Sequence, residues 1–466
     1  MLGRKLILLG LASCLIGSAL AKPPVISKLA TKSAKKPAHT QAAKAPHTPA
    51  GKVTAKVSEK PRAKPAKLVR NSAIVAPLAV VAAASVAATS RLPVTVSDSG
   101  PEAQLATIFR EIEANRLNNA LQLIEALLRQ HPNYRLANLI KGDLLLARTQ
   151  QIQTFGAMNG APADKIADLR AEAIVRLRGY REKPQANNVP RYLLQMQPDQ
   201  RYAIVVDTKR SRLYLYENDL ANGGRPRFVA DYYVTQGKLG SEKVSEGDKK
   251  TPIGVYHVTS SMPKQKLADL YGSGAFPINY PNEWDKQQGR NGGGIWLHGT
   301  PSNTFSRPPR ASEGCVVLTN QDLDTVAKSL QVGLTPVIIS NSVEWLSFDD
   351  WAKERNELNK TIDAWRTDWE SRDTDRFMKH YSKRFKTGDQ SFEQFAAQKK
   401  QVNAGKEWIK VKTDNLSVFR NPGKEEVVVV TFDQDYRSNN LSNVMKKRQY
   451  WLREDGRWKI IYEGTA

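Results

Sequence analysis

Two residues capable of nucleophilic chemistry stand seventeen positions apart in the second half of the chain. Cys315 lies in the segment ASEGCVVLTN, and His298 lies in GGGIWLHGTPSN. A free thiol has a pKa of ~8.5 and attacks as the thiolate, so a catalytic cysteine needs a neighbouring base or positive charge. His298 is the candidate base, which would take the thiol proton and later return it to a leaving amine. The pair predicts acyl transfer through a cysteine-linked intermediate.

The residues around this pair predict how it is positioned. His298 follows the apolar segment IWL, and Cys315 precedes the apolar segment VVL. Both residues are therefore expected at strand ends, where a rigid sheet fixes their separation. Gly314 would let the backbone turn tightly before the nucleophile, so that amide N–H groups there form an oxyanion hole. The Gly299 carbonyl is the nearest acceptor for the second ring nitrogen of the histidine.

Other interpretations of the same residues are weaker. Cys315 alone would also fit a buried, inert thiol, which behaves as a small apolar side chain. A zinc site is disfavoured because catalytic zinc takes three protein ligands, and only His257 is available to join the pair. The glycine-rich segment at 289–294 lacks the ending and the following helix of a phosphate-binding loop. No metal and no cofactor is predicted.

The chain is long enough for several domains. It has 466 residues, of which 40% are hydrophobic and 25% charged. At ~100–200 residues per domain, two to four domains are expected. We predict a multidomain α+β protein with a signal peptide at 1–21, a disordered basic linker at 22–100, a helical region at 101–195, a catalytic domain at 198–342 and a further domain at 349–466.

The first residues predict export. A basic pair at 4–5 precedes an apolar stretch at 6–20, which ends in the small-x-small sequence ALA, as in a signal peptide. An uncleaved anchor is one alternative. Another is a lipoprotein anchor at Cys14, since LASC resembles a lipobox. We expect a periplasmic protein of a Gram-negative cell, in which Cys315 has no intramolecular partner once Cys14 is removed.

The linker carries much of the positive charge. Residues 22–70 contain thirteen Lys or Arg and one acid, Glu59, against a net charge of +24 for the whole chain. A segment so rich in Ala, Lys and Pro cannot bury a core. Electrostatic contact with an anionic wall or membrane surface and a simple spacer role both stay open. Nucleic acid is not an expected partner, because the chain shows no nucleic-acid fold signature.

The region after the linker has helical periodicity. Leu105, Ile108 and Phe109 share one helical face, and further apolar residues repeat this spacing up to about position 150. The segment at 118–137 has the spacing of the second helix of a tetratricopeptide repeat. One such unit is too short for a free-standing array, so it is expected to pack against another part of the protein. A generic helical hairpin is the alternative.

Two further regions follow. Strand-forming segments between about 201 and 340 are separated by Gly and Pro, without regular alternation with helices, so a mostly antiparallel β domain with short helices is expected. From 349 a long helix with aromatic anchors precedes two long alternating strands. This order resembles the nuclear-transport-factor-2-like α+β cone, which implies a binding or packing module.

The segment HGTPSNTFSRPPRASEGCVVLTN resembles the catalytic signature of the YkuD-type L,D-transpeptidase domain. That signature has His-Gly, a gap, Ser/Thr-His-Gly-Cys, a hydrophobic residue and, soon after, Asn. The segments TPIGVYHV, YPNEWD and GLTPVIIS also fit the family in order and spacing. The resemblance covers about residues 200–342.

The resemblance implies roles for the site residues. Cys315 would be the nucleophile, His298 the base and Gly299 the residue whose carbonyl orients the base, while Ser312 and Gly314 shape the site. The implied substrate is the stem tetrapeptide of peptidoglycan, cut at the L-to-D bond after meso-diaminopimelate with loss of D-alanine. An amine acceptor then gives transpeptidation, and water gives carboxypeptidation.

Three residues, Tyr280, Trp296 and Arg310, are candidates for contact with the substrate. Core packing is an equally good interpretation of the two aromatic residues, and also of Trp284. Arg310 is an alternative partner for Glu313, which is otherwise expected to face solvent. None of these assignments follows from the signature itself.

One residue departs from the signature, because Glu313 stands where histidine is usual. This variant resembles a subgroup that includes L,D-carboxypeptidases controlling cell shape and hydrolases that release wall-attached lipoprotein. Carboxypeptidases of that subgroup also carry a nuclear-transport-factor-2-like tail, which favours hydrolysis. The non-enzymatic alternative is a wall-binding scaffold with a degenerate site, whose helical and C-terminal regions contact other cell-wall proteins.

Overall fold

The computed structural model describes residues 100–157, 160–388 and 390–466. The predicted signal peptide, Cys14 and all but the last residue of the predicted linker lie outside these ranges. The described residues fall within one compact unit that mixes helices and sheets, which confirms the α+β class. In these ranges, no helix combines the length and apolar character that a membrane span requires.

Helices make up the first part of the described chain. Pro101 opens the first helix, where its fixed φ suits the initial turn, and Pro132 follows the end of the second. Apolar faces of all these helices, with Leu105, Ile124 and Ile140 among them, pack into one buried cluster. The helices are α1 (Pro101–Glu113), α2 (Leu117–Gln130), α3 (Arg135–Leu146) and α4 (Ala163–Arg181).

Residues 182–195 are not helical, although the sequence predicted a helical region that extends to residue 195. They contain two short strands, β1 (Asn188–Pro190) and β2 (Leu193–Gln195). Pro184 and Pro190 explain the difference, because proline removes a backbone donor and disfavours helix at the preceding residue. Leu193 and Leu194 are fully buried against later parts of the chain.

The central part of the chain is built from short strands. They are β3 (Tyr202–Asp207), β4 (Arg212–Asp219), β5 (Arg225–Tyr233), β6 (Gln236–Gly237), β7 (Gly254–His257), β8 (Met262–Pro263), β9 (Gly274–Pro277), β10 (Trp296–His298), β11 (Arg310–Ser312), β12 (Val316–Val317) and β13 (Pro336–Ser340). Two α-helices accompany them, α5 (Glu283–Gln287) and α6 (Asn320–Ala327). Short 3₁₀ turns lie at Leu220–Asn222, Lys264–Lys266 and Asp269–Tyr271.

These strands form two larger sheets around a shared core. One sheet has the order β5-β4-β3-β13-β7, the other β12-β10-β9-β8, and β11 pairs separately with β6. Most neighbours are antiparallel, but β13 runs parallel to β3, β12 to β10 and β11 to β6. Side chains from both larger sheets, such as Ile204 and Leu297, pack in one apolar cluster. Through this core, each of the two larger sheets supports the other.

The C-terminal part is a curved sheet covered by helices. It contains β14 (Trp345–Ser347), α7 (Phe348–Glu370), α8 (Thr374–Met378), β15 (Lys386–Thr387), β16 (Gln390–Ser391), α9 (Phe392–Ala404), β17 (Ile409–Asn421), β18 (Val427–Ser438), β19 (Leu441–Glu454) and β20 (Arg457–Thr465). The sheet order is β2-β17-β18-β19-β20, while β1 pairs with β14. Trp365 and Trp369 of α7 pack against Phe432 and Tyr436 of β18.

Direct contacts join the central and C-terminal parts. The Trp284 ring stacks on the Tyr450 ring at a centroid distance of 6.2 Å. Glu283 accepts hydrogen bonds from the Tyr450 hydroxyl at 2.9 Å and from Arg448 at 3.1 Å. Trp284 therefore packs between the central and C-terminal parts. This agrees with the interpretation of Trp284 as a residue of the core.

Candidate active site

The two candidate catalytic residues lie on neighbouring parallel strands. Leu297 of β10 pairs with Val316 of β12, and His298 pairs with Val317. Cys315 directly precedes β12, so by the same register it lies level with Trp296 at the start of β10, two positions from the level of His298. Residues two apart along a strand share one face, so both side chains lie on the same face of the sheet. The parallel pairing thus brings together two residues that are separated by a long loop in the sequence.

His298 is held as a neutral, oriented imidazole. Its Nδ1 lies 2.7 Å from the Gly299 carbonyl oxygen. Because a carbonyl can only accept, Nδ1 carries the proton, and Nε2 is the ring nitrogen that can receive one. Burial lowers the pKa of His298 to about 4, an effect that the Gly299 bond opposes and the Arg307 charge reinforces. The imidazole is therefore neutral at pH 7.

Cys315 is half-buried and protonated in the free protein. Its Sγ donates to the Gly294 carbonyl at 3.4 Å. Burial raises the pKa of the Cys315 thiol, while the Trp296 backbone N–H and the charges of Arg307 and Lys243 oppose that rise. The resting site consequently holds a neutral thiol and a neutral imidazole, so a thiol that acts as a nucleophile here must first lose its proton.

These charge states predict a pH profile. Activity that needs neutral His298 should be constant from roughly pH 5 to pH 8 and fall below that range as the ring gains a proton, with a midpoint near the histidine pKa of about 4. The measurement is the rate of Cys315 acylation by a carbapenem against pH, with circular dichroism confirming the fold at each pH. A midpoint near the ordinary histidine pKa of ~6.5 would contradict the buried neutral ring.

The turn before Cys315 is fixed by short hydrogen bonds. The Ser312 hydroxyl donates to the Cys315 carbonyl at 2.7 Å and accepts from the Gly314 N–H at 3.1 Å. The Gly314 carbonyl accepts from the Thr251 hydroxyl at 3.0 Å. Gly314 has a φ of 129°, which side-chain-bearing residues rarely adopt. Ser312 and Gly314 therefore shape the backbone that presents the thiol.

Asn320 fixes the backbone on the other side. Its Oδ1 accepts from the backbone N–H groups of Ser273 at 2.9 Å and Thr300 at 3.1 Å, and its Nδ2 donates to the Thr300 carbonyl at 2.9 Å. A Cβ on Gly299 would lie 2.1 Å from Oδ1, so only glycine fits there. Asn320 belongs to the family signature, but its positioning of the Gly299 segment was not predicted.

The candidate substrate contacts lie in different environments. Trp296 is partly exposed, and its ring lies 4.7 Å from that of Tyr271, which in turn meets the His298 ring edge-on at 5.2 Å. Tyr271 was not singled out in the sequence. Tyr280 is 6% exposed and lies in the core, where its hydroxyl donates to the Asn291 carbonyl at 3.1 Å. Arg310 is exposed on β11.

Glu313 forms ion pairs at the protein surface. It is exposed and pairs with Lys238 at 2.7 Å and Lys249 at 3.4 Å. The hydrogen bond from Lys238 is the main reason that the pKa of Glu313 is lowered. The residue thus faces solvent, as one sequence interpretation expected, but its partners are two lysines and not Arg310.

Replacing Glu313 with glutamine should change kcat/KM for tetrapeptide cleavage by less than ~3-fold, because exposed ion pairs contribute little. Steady-state kinetics of E313Q and the unmodified protein at equal ionic strength provide the measurement. A loss of roughly tenfold or more, about 1.4 kcal/mol, would show that the carboxylate turns towards the substrate.

Arg307 is a charged neighbour of the pair that the sequence did not reveal. Its guanidinium is partly buried and donates to the Ala311 carbonyl. Its charge acts on both Cys315 and His298. A single arginine in an irregular loop has no periodicity or spacing signal, so only the fold reveals its position.

Metal ligation was considered for the same region. His257, the third histidine weighed for zinc, ends β7 and pairs with Pro336 of β13. Among the described residues, no group of three or more His, Cys, Asp or Glu side chains is arranged to hold a metal ion.

Comparison with known proteins identifies two domains. Residues 201–339 match the L,D-transpeptidase catalytic domain, YkuD, and residues 357–464 match the Cds6 C-terminal NTF2-like domain. A search of curated proteins gave no match.

Two solved structures are similar to more than half of this chain. Bd1075 from Bdellovibrio bacteriovorus is 29% identical, with a TM-score of 0.53 over 60% of this chain and 98% of that one. The helical cell shape determining protein Pgp2 from Campylobacter jejuni is 27% identical, with a TM-score of 0.50 over 59% of this chain and 95% of that one. The chain thus contains a YkuD-type L,D-transpeptidase catalytic domain followed by a C-terminal NTF2-like domain of the Cds6 type.

Proposed function

We propose that this protein is a periplasmic cysteine enzyme that cleaves the L-to-D bond of peptidoglycan stem tetrapeptides through an acyl-enzyme. The observation that carries the proposal is the His298 ring, buried, neutral and oriented by the Gly299 carbonyl, on the strand beside Cys315. A scaffold would need neither an oriented base nor a glycine turn that presents the thiol. The match to the YkuD domain supports peptidoglycan as the substrate.

The proposed first half-reaction uses both residues. Nε2 of His298 takes the thiol proton while Sγ attacks the carbonyl carbon of the diaminopimelate residue. The backbone N–H of Cys315 would stabilise the oxyanion, since the Gly314 N–H already donates to the Ser312 hydroxyl. The C–N bond then breaks, the histidine proton passes to the amine of D-alanine, and a thioester to the tripeptide remains.

Water is the proposed acceptor in the second half-reaction. His298 would remove a proton from water, which attacks the thioester and releases the tripeptide and the thiol. The Glu313 variant of the signature, the NTF2-like tail and the likeness to a cell-shape protein support carboxypeptidation. Transpeptidation to an amine is the second candidate, since it shares the first half-reaction. Hydrolytic release of wall-attached lipoprotein is a third candidate.

Mass spectrometry of disaccharide-tetrapeptide incubated with the protein tests the proposal. Tripeptide as the product, with no crosslinked dimer, is the expected result. Crosslinked dimers or exchange with an added D-amino acid would assign transpeptidation, and no conversion of tetrapeptide or of lipoprotein-bound wall would favour the scaffold. Contact of the basic linker with an anionic surface, and of the tetratricopeptide-like and C-terminal regions with other wall proteins, stay predictions.

A further inference from the structure

The loop that joins β10 to β11 is anchored on the helical region. The Phe305 ring lies 4.6 Å from the His131 ring and 4.3 Å from the Tyr134 ring. The adjacent Ser306 hydroxyl donates to Glu172 of α4 at 2.7 Å. Glu172 is buried and accepts from Arg176 at 2.9 Å. The loop between the two catalytic residues is therefore held by side chains of α4 and of the turn that joins α2 to α3.

The next residue of this loop, Arg307, is fixed from the catalytic domain as well. Its backbone carbonyl accepts from the Tyr233 hydroxyl at 2.8 Å and from the Thr235 hydroxyl at 2.9 Å. The Tyr233 ring also packs under the Arg176 guanidinium at 3.8 Å, which ties both anchors to one network. The main chain at Arg307 is thus held by the helical region through Phe305 and Ser306, and by the catalytic domain through Tyr233 and Thr235. These contacts fix the point from which the Arg307 side chain extends.

The guanidinium of Arg307 forms no ion pair with the other residues that the structure describes. The carboxylate whose charge acts on it, that of Glu313, is already paired with Lys238 and Lys249. The other cation whose charge acts on the thiol, Lys243, is already paired with Asp248 at 2.8 Å. A partly buried cation without a directly paired counter-ion is costly, unless an anion joins it when the substrate binds. Arginine is well suited to that task, because its planar fork matches the two oxygens of a carboxylate.

We infer that Arg307 binds the α-carboxylate of the residue that leaves, the C-terminal D-alanine of the stem tetrapeptide. This inference rests on the proposed function. The carboxylate lies one residue beyond the scissile carbonyl, about 3.8 Å along the chain. The Arg307 guanidinium donates to the Ala311 carbonyl, four residues before Cys315, so it lies near the turn at which this carboxylate would bind. The site would then select peptides that end one residue after the scissile bond, and the helical region would serve catalysis by positioning Arg307.

The test compares two substrates that differ in one charge. One is the disaccharide-tetrapeptide with a free terminal carboxylate, and the other is the same molecule with a terminal carboxamide. The unmodified protein should prefer the acid in kcat/KM by roughly 10- to 100-fold, as expected for a charge-assisted hydrogen bond. R307Q should lose this preference by slowing on the acid only, and R307K should keep part of it.

Controls separate this role from others. R457Q removes an exposed arginine at the start of β20 and should retain the full preference. Any of three results would overturn the inference and leave the proposed function standing. In these results kcat/KM of R307Q falls equally on both substrates, the unmodified protein shows no preference for the acid, or R310Q loses the preference in place of R307Q. Failure of the unmodified protein to cleave either substrate would overturn the proposed function and this inference together.

Discussion

Replacing Cys315 with serine should lower kcat/KM for tetrapeptide cleavage by roughly 10⁴-fold or more, as removal of a nucleophile does in other acyl-transfer enzymes. The hydroxyl is a far weaker nucleophile than the thiol, and the single neutral base at His298 cannot compensate. Tripeptide formation followed by mass spectrometry gives the rate. The side chain is half-buried and donates a hydrogen bond to the Gly294 carbonyl, which a serine hydroxyl can also donate. The free energy of unfolding of the variant should therefore lie within about 1 kcal/mol of that of the unmodified protein.

His298→Gln is the matched partner of this variant. It should lose a similar amount of activity, and the double variant should lose hardly more than either single one, because the two residues act as a unit. Independent, multiplicative losses would contradict a shared proton-transfer step. Retention of most activity in either single variant would place the nucleophile or the base elsewhere.

Replacing Gly314 with alanine should damage both the turn and the activity. A Cβ there would lie 2.8 Å from the Lys250 carbonyl oxygen and 3.2 Å from Ile295 Cδ1, at a φ of 129°. The strain should destabilise the fold by about 2–4 kcal/mol. Relief of the clash must move the Ser312 and Thr251 hydrogen bonds, and a shift of ~1 Å in the thiol costs ~10²-fold in rate.

Urea unfolding and steady-state kinetics of G314A provide the two measurements. Gly405→Ala is the control, because Gly405 has a φ of −89° and its added Cβ would be 3.8 Å from the nearest atom, the Val402 carbonyl oxygen. The control should keep its stability within about 1 kcal/mol and its full activity. Equal behaviour of the two alanine variants would show that the Gly314 turn is not under the predicted constraint.

Local patterns were sufficient to predict several features. The predicted YkuD-type domain and NTF2-like tail are both confirmed. The first could be predicted from motifs that follow one another in a fixed order, and the second from a long helix followed by alternating strands. The predicted face of Leu105, Ile108 and Phe109 is buried in α1, as helical periodicity requires.

Other features depend on contacts between distant segments. Strand β2 pairs with β17, which lies more than two hundred residues later, so residues 182–195 carry no local sign of that sheet. Three residues reach the site from different segments of the chain: Tyr271 from a 3₁₀ turn, Asn320 from the start of α6 and Arg307 from the loop between β10 and β11. Their contributions follow from the parallel β10–β12 pairing and from the packing of Phe305, neither of which is visible in the spacing of single residues.

The most direct measurement is intact-protein mass spectrometry of the protein mixed rapidly with disaccharide-tetrapeptide and quenched in acid. A covalent adduct with the mass of the disaccharide-tripeptide acyl group, mapped by proteolysis to Cys315 and absent from Cys315→Ala, is the predicted result. Cleavage of the tetrapeptide that persists in Cys315→Ala, or an adduct on another residue, would contradict Cys315 as the nucleophile.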